Sequence, residues 1–444
     1  MNKAKIMSGK DTIKSPLTPR LRFPEFRDDW RSQPLGELAS IIKEKAGNKK
    51  CTLMSIMSGV GLISQINKFG KEIAGEQYKN YIVIRNNDFA YNKSATKDYP
   101  QGFIALYSGT EIAAVPNSIF TCFKVQAENI VPAYLNCLFL CNFHGRWLKK
   151  YITVGARAHG ALSIDDEDIL ALPVPYPKGV SPSGEQQKIA DCLSSLDERI
   201  TAETNKLNAL KAHKNGLLKQ LFPLEGETLP TLRFSEFRDA GEWGQAPLGE
   251  LLLSQPDYGV NAPAVPYTSS LPTYIRITDI SAEGQFIAEN KASVDTVATH
   301  ENCLHPGDIV LARTGASVGK AYRYNESDGK LVFAGFLIRA KPNWRKINSN
   351  FLFNFLFTKR YWDWVAFTSP RSGQPGINSA EYATLPVPTP PSDGDAHPEQ
   401  QKIADCLSSL DELITAQARK IELLKAHKKG LMQQLFPVID EAKA

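Results

Sequence analysis

The sequence predicts an α+β protein: two β-rich domains separated by a pair of long antiparallel coiled-coil helices, related by an approximate two-fold. Three observations predict this. A 39-residue stretch, EQQKIADCLSSLDE through LFP, stands at 185–223 and again at 399–437, with 29 of 39 positions identical at a constant offset of 214. Each copy carries a sustained 3.5-residue apolar period. The segments ahead of them, roughly 39–171 and 252–384, are rich in strand-like runs and are not visibly alike.

Shorter repeats complete a framework. LRFPEFRDDW at 21–30 answers LRFSEFRDAGEW at 232–243, PLGEL recurs at 34–38 and 247–251, and LPVP at 172–175 and 385–388. A solenoid would keep its similarity throughout, with a period of about 20–50 residues, so that architecture is excluded. A near-identical framework around divergent inserts describes one scaffold that presents two different surfaces.

The helices follow from the apolar spacing. Ile189, Leu193, Leu196, Ile200, Leu207, Leu210, Leu217 and Leu221 step alternately by three and four residues, with Glu203 and Lys214 in the two gaps. The second copy repeats this with Ile403, Leu407, Leu410, Ile414, Ile421, Leu424, Leu431 and Leu435, and with Gln417 and Lys428 in the gaps. Such a period is a coiled-coil seam, and its polar positions weaken packing while fixing register and partner. Pro223 and Pro437 disfavour continuation of the helices. Either helix alone leaves an apolar stripe in water, so the expectation is that the two pair within one chain. The alternative is that each packs on its own insert or on another protein.

In the inserts, β-branched and aromatic runs between turn residues predict strands at 81–92, 103–108, 274–281, 307–313 and 330–340. One amphipathic helix is expected late in each insert, at 133–151 and 350–365, leading into the glycine-rich loops GARAHGALS (155–163) and SPRSGQPGINS (369–379).

Composition narrows the class. With 42% hydrophobic and 22% charged residues over 444 positions, the chain has material for more than one core and is neither disordered nor collagen-like. A net charge of +5 and a pI near 8.6 permit a polyanionic partner without demanding one. Seven scattered cysteines fit a reducing compartment. The N-terminus lacks the apolar core of a signal peptide and no run approaches a membrane span, so a cytoplasmic protein without membrane contact is expected.

RTGASVGK at 313–320 has three residues between Gly315 and Gly319 and Ala321 after Lys320, whereas a nucleotide-binding P-loop needs four and Ser or Thr. Arg313, Thr314, Gly315 and Lys320 instead make a glycine-rich strand end able to approach a DNA backbone or a guanine edge; the plain alternative is a tight turn with solvated charges. Arg157 and His159 in the first glycine-rich loop, and Arg371 and Gln374 in the second, carry side chains that can read base edges. Tyr91, Asn92, Lys93, Ser94 and Lys97 form a polar-basic loop after a strand. For each, a solvated loop is the competing reading. Cys137, Cys141 and His144 share a helical face, but Leu138, Phe139, Leu140 and Phe143 around them mark a buried helix rather than a metal site. Cys192 and Cys406 lie beside seam leucines. No methyltransferase glycine loop, helicase motif or nuclease constellation is visible, so no catalytic residue, metal or intrinsic activity is expected.

Taken together, the doubled EQQKIADCLSSLDE…LFP helices, the LRF-EFR leads, LPVP and HPGDIVLARTGASVGK (305–320) resemble the specificity (S) subunit of type I restriction-modification systems, from residue 17 to 437. The resemblance implies a non-catalytic subunit that binds double-stranded DNA. It divides the chain into an N-terminal tail (1–16), a target recognition domain (17–175), a helix and linker (176–228), a second recognition domain (229–388), and a second helix with a C-terminal tail (389–444). Each recognition domain reads one half of a bipartite asymmetric site and the helices set the spacer. Two modification (methyltransferase) subunits supply S-adenosylmethionine chemistry. Restriction subunits add ATP- and Mg-dependent translocation and cleavage. The first insert shows no evident counterpart of ARTGASVGK. A pure assembly adaptor that binds proteins through its inserts is the alternative, and an enzyme with its own nuclease or methylase site is a third reading.

Overall fold

The computed structural model describes residues 17–57, 59–152, 162–177, 183–296, 299–392, 394 and 397–437. They form two units: residues up to Ala202 together with those from Ile421 onward, and residues Glu203–Lys420. Each unit is therefore built from both ends of the helix pair.

The first unit contains strands β1 (Trp30–Pro34), β2 (Ala39–Ile41), β3 (Thr52–Met57), β4 (Gly61–Ser64), β5 (Ile82–Ile84), β6 (Asp88–Asn92), β7 (Phe103–Leu106), β8 (Ala113–Val115), β9 (Phe120–Val125) and β10 (Pro173–Pro177). Its helices are α1 (Leu35–Leu38), α2 (Gln65–Phe69), α3 (Pro132–Leu140), α4 (Phe143–Leu148), α5 (Asp166–Leu170) and the start of α6 (Ser183–Leu221). One antiparallel sheet has the order β2-β9-β6-β7, a mixed sheet runs β4-β3-β8-β5, and β1 pairs with β10. The framework motifs PLGEL and LPVP thus meet at a two-stranded ribbon that closes the domain, with Pro34 opposite Pro173.

The second unit has β11 (Gly244–Pro247), β12 (Asp257–Tyr258), β13 (Ala264–Pro266), β14 (Thr273–Ile275), β15 (Ala292–Val294), β16 (Ile309–Ala312), β17 (Ala321–Arg323), β18 (Leu331–Phe333), β19 (Leu337–Ala340) and β20 (Pro386–Thr389). Helices α7 (Ser349–Phe355), α8 (Lys359–Thr368) and α9 (Ser379–Ala383) precede α10 (Pro398–Leu435). Its sheets run β12-β19-β16-β17 and β13-β15-β14-β18, with β11 on β20. In both units the first sheet follows one rule: the first strand, then the last, then the two middle strands. The second sheets each hold one parallel pair, β3 with β8 and β14 with β18. Inserts with no visible sequence likeness share the order of the first sheet and the parallel pair of the second, while the remaining edge strand differs: β5 lies on β8 in one and β13 on β15 in the other.

The single late helix expected in each insert is broken in two. Asn142 takes a left-handed conformation (φ 55°) that ends α3 before α4 begins. Between α7 and α8, the Thr358 side chain accepts from the Tyr361 amide and starts a new helix.

Within each unit, α6 and α10 pair antiparallel, and the repeat explains how. In the second unit Lys214 Nζ lies 2.6 Å from Asp411 Oδ1; in the first, Lys428 Nζ lies 2.5 Å from Asp197 Oδ1. These are the same contact with the roles of the helices exchanged, since 214 and 428, like 197 and 411, differ by the repeat offset. Glu203 and Gln417 are also repeat equivalents, and they meet: Gln417 Nε2 donates to Glu203 Oε2 at 2.7 Å and to Glu203 O at 2.9 Å, while Lys420 Nζ sits 2.6 Å from Glu203 Oε1. All four polar seam residues thus have partners on the facing helix. The apolar seam residues are buried or half-buried, whereas Leu413 and Leu423, off the seam, are exposed.

Each core clamps the start of one helix and the end of the other. Ile189, Leu193, Leu435 and Phe436 enter the first unit's main core beside Trp30, Tyr134 and Tyr176. Ile403, Leu407, Leu221 and Phe222 do the same in the second, beside Trp243, Phe351 and Tyr382. The LRF-EFR lead straps the helix start in place. Arg22 Nε and Nη2 donate to Glu185 at 2.7 and 2.8 Å, and Arg233 Nε and Nη2 donate to Glu399 at 2.8 Å each. At the next residue, Gln186 Oε1 accepts from the Val131 amide and Gln400 Oε1 from the Asn348 amide.

Replacing Gln417 by Leu removes a donor from a buried carboxylate and should cost about 1–3 kcal/mol. The double variant Glu203→Leu/Gln417→Leu should recover most of that, because no buried charge is left behind. Urea unfolding of both variants checks the order; a double variant weaker than the single contradicts it.

Candidate nucleic-acid interface

The strand β16 opens on a turn in which Gly307 takes φ 93° and the Asp308 side chain accepts from the His305 amide at 2.9 Å. That turn aims the strand so that its far end delivers Arg313 to the loop Arg313–Lys320. The glycine-rich loop 369–377 comes back onto the same place: the Ile377 amide donates to Arg313 O at 2.9 Å, and the Gly315 amide to Pro375 O at 2.9 Å. Two segments over fifty residues apart are thereby laced into one surface. Gly315 sits at φ 71°, and a Cβ there would lie 2.7 Å from Gln374 Nε2. From below, Tyr361 OH donates to Gly319 O at 2.7 Å and Tyr382 OH to Ala312 O at 2.9 Å.

The first unit repeats this arrangement, which corrects the expectation that its insert lacks a counterpart of ARTGASVGK. Asn87 (φ 69°) and the Asp88 side chain, which accepts from the Arg85 amide at 2.7 Å, form the equivalent turn before β6. The loop 93–102 joins β6 to β7 as 313–320 joins β16 to β17. Lys93 stands where Arg313 stands: its amide donates to Ile119 O, as that of Arg313 does to Phe336 O, and its carbonyl accepts from Leu162, as that of Arg313 does from Ile377. Gly102 (φ 80°) matches Gly319 (φ 88°), and the buried His144 approaches Gly102 O at 3.3 Å as Tyr361 reaches Gly319 O. The signal was present as RNND before FAYN against HPGD before IVLA, a turn and a strand start that identity alone does not reveal.

The candidate residues divide by availability. Lys97 is exposed, and Lys93, Ser94, Arg313, Thr314 and Lys320 are half-buried at the surface. Gln374 and Arg371 are exposed, but Arg371 is committed: it pairs with Glu381 at 2.5 Å and donates to Thr368 O and Pro370 O. Tyr91 is fully buried and donates to Gln101 O at 2.7 Å, so its ring supports the loop and offers no surface to a ligand. Asn92 is buried too, its Oδ1 accepting from the Ser94 amide. Arg157 and His159 lie outside the described residues. Sequence reasoning missed Tyr258 and Phe336. Arg313 lies 4.8 Å over the Tyr258 ring, and Phe336 is 59% exposed beside it. Tyr258 comes from β12, which pairs with β19, and Phe336 from the turn just before β19; no spacing in the chain ties them to position 313.

Cys137 and Cys141 do not make a metal site with His144. Burial pushes both thiols up to about 12, and the His144 ring is enclosed beside Tyr91 and Phe139. Among the described residues no group of three or more His, Cys, Asp or Glu side chains is placed to hold a metal.

Two inserts with the same first-sheet order, each with the loop that opens at Lys93 or Arg313 tied by a backbone bond to the segment ahead of α5 or α9 and each clamped to a helix pair, define a recognition scaffold built twice. A family model, the type I restriction modification DNA specificity domain, matches residues 27–212 and 255–426. The chain belongs to this family, whose work is DNA sequence specificity rather than catalysis. It is 23% identical over 441 residues to the type I restriction enzyme MjaVIII specificity subunit of Methanocaldococcus jannaschii, covering 94% of this chain and 93% of that one. Its fold resembles that of the type I restriction-modification S subunit from M. genitalium, with a TM-score of 0.56, 15% identity, and coverage of 95% of this chain and 100% of that one. A chain from a structure of type I restriction-modification complex assembly and conformational transition gives a TM-score of 0.53 at 18% identity, over 93% of this chain and 99% of that one.

His144 supplies a pH test of the first unit's loop support. Burial pulls its pKa down to about 4. The folded unit keeps the ring neutral while the unfolded chain takes up a proton below about pH 6.5, so stability present at pH 7 is lost as the pH falls toward 4. At pH 5 the loss should be about 2 kcal/mol. Urea unfolding at pH 7 and 5 should show this drop in the wild type and a smaller one in His144→Gln; equal drops would contradict it.

Proposed function

We propose that each unit reads one half of a bipartite, asymmetric duplex site through its laced loops, and that the helix pair sets the spacer between the halves. The recognition domains on this reading span 17–175 and 229–388, and the helices with their linkers span 176–228 and 389–444. The observation that carries it is the pair of topologically equivalent loops with unlike side chains, Lys93–Gly102 and Arg313–Lys320. Equivalent backbone positions aim at equivalent places, while different residues there suit different bases.

Phosphate contacts by Lys93, Lys97 and Lys320, with Arg371 on the rim, would supply salt-dependent affinity. Ser94, Arg313, Thr314 and Gln374 have the donors and acceptors for base edges, as Arg157 and His159 do by residue type. Gly315 keeps the backbone low enough for close approach. The duplicated framework suits two copies of one modification subunit, which carry S-adenosylmethionine and act on an adenine. Restriction subunits bring ATP- and Mg-dependent steps to the same complex. No helix among the described residues is long and apolar enough to cross a membrane, which supports a place in the cytoplasm with the chromosome.

The test is to map methylated adenines in a host that carries this chain with its modification subunit. A split motif should emerge. Exchanging residues 252–384 for another family member's insert should change one half of the motif and leave the other; a change in both halves contradicts autonomous reading. Gly315→Ala, strained at positive φ and crowding Gln374, should weaken binding of the specific site by about tenfold, read by competition against random duplex. Unaltered competition would remove Gly315 from the interface.

A further inference from the structure

Arg313 shares its backbone grip with Lys93, but its side chain has a support that sets it apart. Its amide donates to Phe336 O at 3.1 Å and its carbonyl accepts from the Ile377 amide at 2.9 Å, so its backbone is gripped on both sides. Its guanidinium lies 4.8 Å over the Tyr258 ring, Nη1 lies at the outer limit of hydrogen bonding to Gly335 O (3.5 Å), and Nε is buried without a hydrogen-bond partner among the described residues. Tyr258 is itself fixed. Its hydroxyl accepts from the Ser379 amide at 3.1 Å, and the adjacent Asp257 binds the fully buried Arg339 at 2.5 and 3.1 Å, tying the short strand β12 to β19. The Ser379 hydrogen bond first, and then the Arg313 charge, hold the Tyr258 phenol below its usual pKa.

A phosphate accepts donors from many directions, so a mobile lysine serves it well. Two acceptors on the edge of a base have one plane and one spacing, and they reward a planar fork already held in place. A ring-stacked guanidinium with spare donors suits the second task.

We propose that Arg313 reads a guanine, donating in bidentate fashion to its O6 and N7 in the major groove, and that Tyr258 is the positioning residue that orients the guanidinium for it. This rests on the reading of the second unit as a DNA-recognition domain. Phe336, exposed at the turn beside Arg313, borders the same base step.

The experiment uses the full chain assembled with its modification subunit, and duplexes in which each base pair of the mapped site is varied in turn. Arg313→Lys keeps the charge and loses the fork. It should lower the preference for guanine at one base pair by about tenfold while leaving the salt dependence of random-duplex binding unchanged. Tyr258→Leu should relax the same base pair, and Tyr258→Phe, which keeps the ring, should retain most of the discrimination. If Tyr258→Leu unfolds the unit, Arg313→Lys and Tyr258→Phe still decide. Weakening spread evenly over all sequences, or base preferences untouched by Arg313→Lys, overturns the assignment in favour of a phosphate contact. A motif with no guanine in the half that follows residues 252–384 overturns the assignment alone; the absence of any motif in the wild type overturns the DNA reading with it.

Discussion

The structure depends on a seam that is complementary to itself. Because α6 and α10 are near copies, an antiparallel pairing must satisfy every contact twice, once with each helix in each role. Lys214 with Asp411 and Lys428 with Asp197 do so. At Glu203 and Gln417 the repeat meets its own counterpart, and here identity would be harmful. Two buried glutamates would repel, whereas a carboxylate facing an amide donor is a hydrogen bond. The difference at this position is one of ten between the copies, and it falls where symmetry alone would fail.

Around that seam the framework motifs acquire separate tasks. Arg22 and Arg233 anchor the first turn of each helix through Glu185 and Glu399. Gln186 and Gln400 bind the backbone of their own globule, and the ends Leu435–Phe436 and Leu221–Phe222 fill the cores. Repetition in the sequence is the trace of these paired jobs. A change in any of them would act on one globule while the other kept its own set.

The inserts show the converse economy. Beyond the shared first-sheet order and the backbone bonds at Lys93 and Arg313, what recurs is the turn before β6 or β16, a positive-φ glycine at the end of the loop, and a buried side chain beneath that glycine's carbonyl. His144 does in one unit what Tyr361 does in the other, by different chemistry and to the same end. What the loops display is left free to vary: Lys93 occupies the place of Arg313, and Ile119 that of Phe336.

Helix extent, seam, antiparallel pairing and the two-domain plan were legible in the chain, because a 3.5-residue period and a 214-residue offset are properties of order along the sequence. So were the loops at 93 and 313, since glycine and basic residues after a strand have local meaning. The kinship of the two inserts was not legible, because strand order depends on backbone pairing that unlike side chains support equally well. Nor was the burial of Tyr91, the capture of Arg371 by Glu381, or the ring of Tyr258 under Arg313. No sequence period links the members of these contacts, and only the folded backbone brings them within a few ångströms of one another.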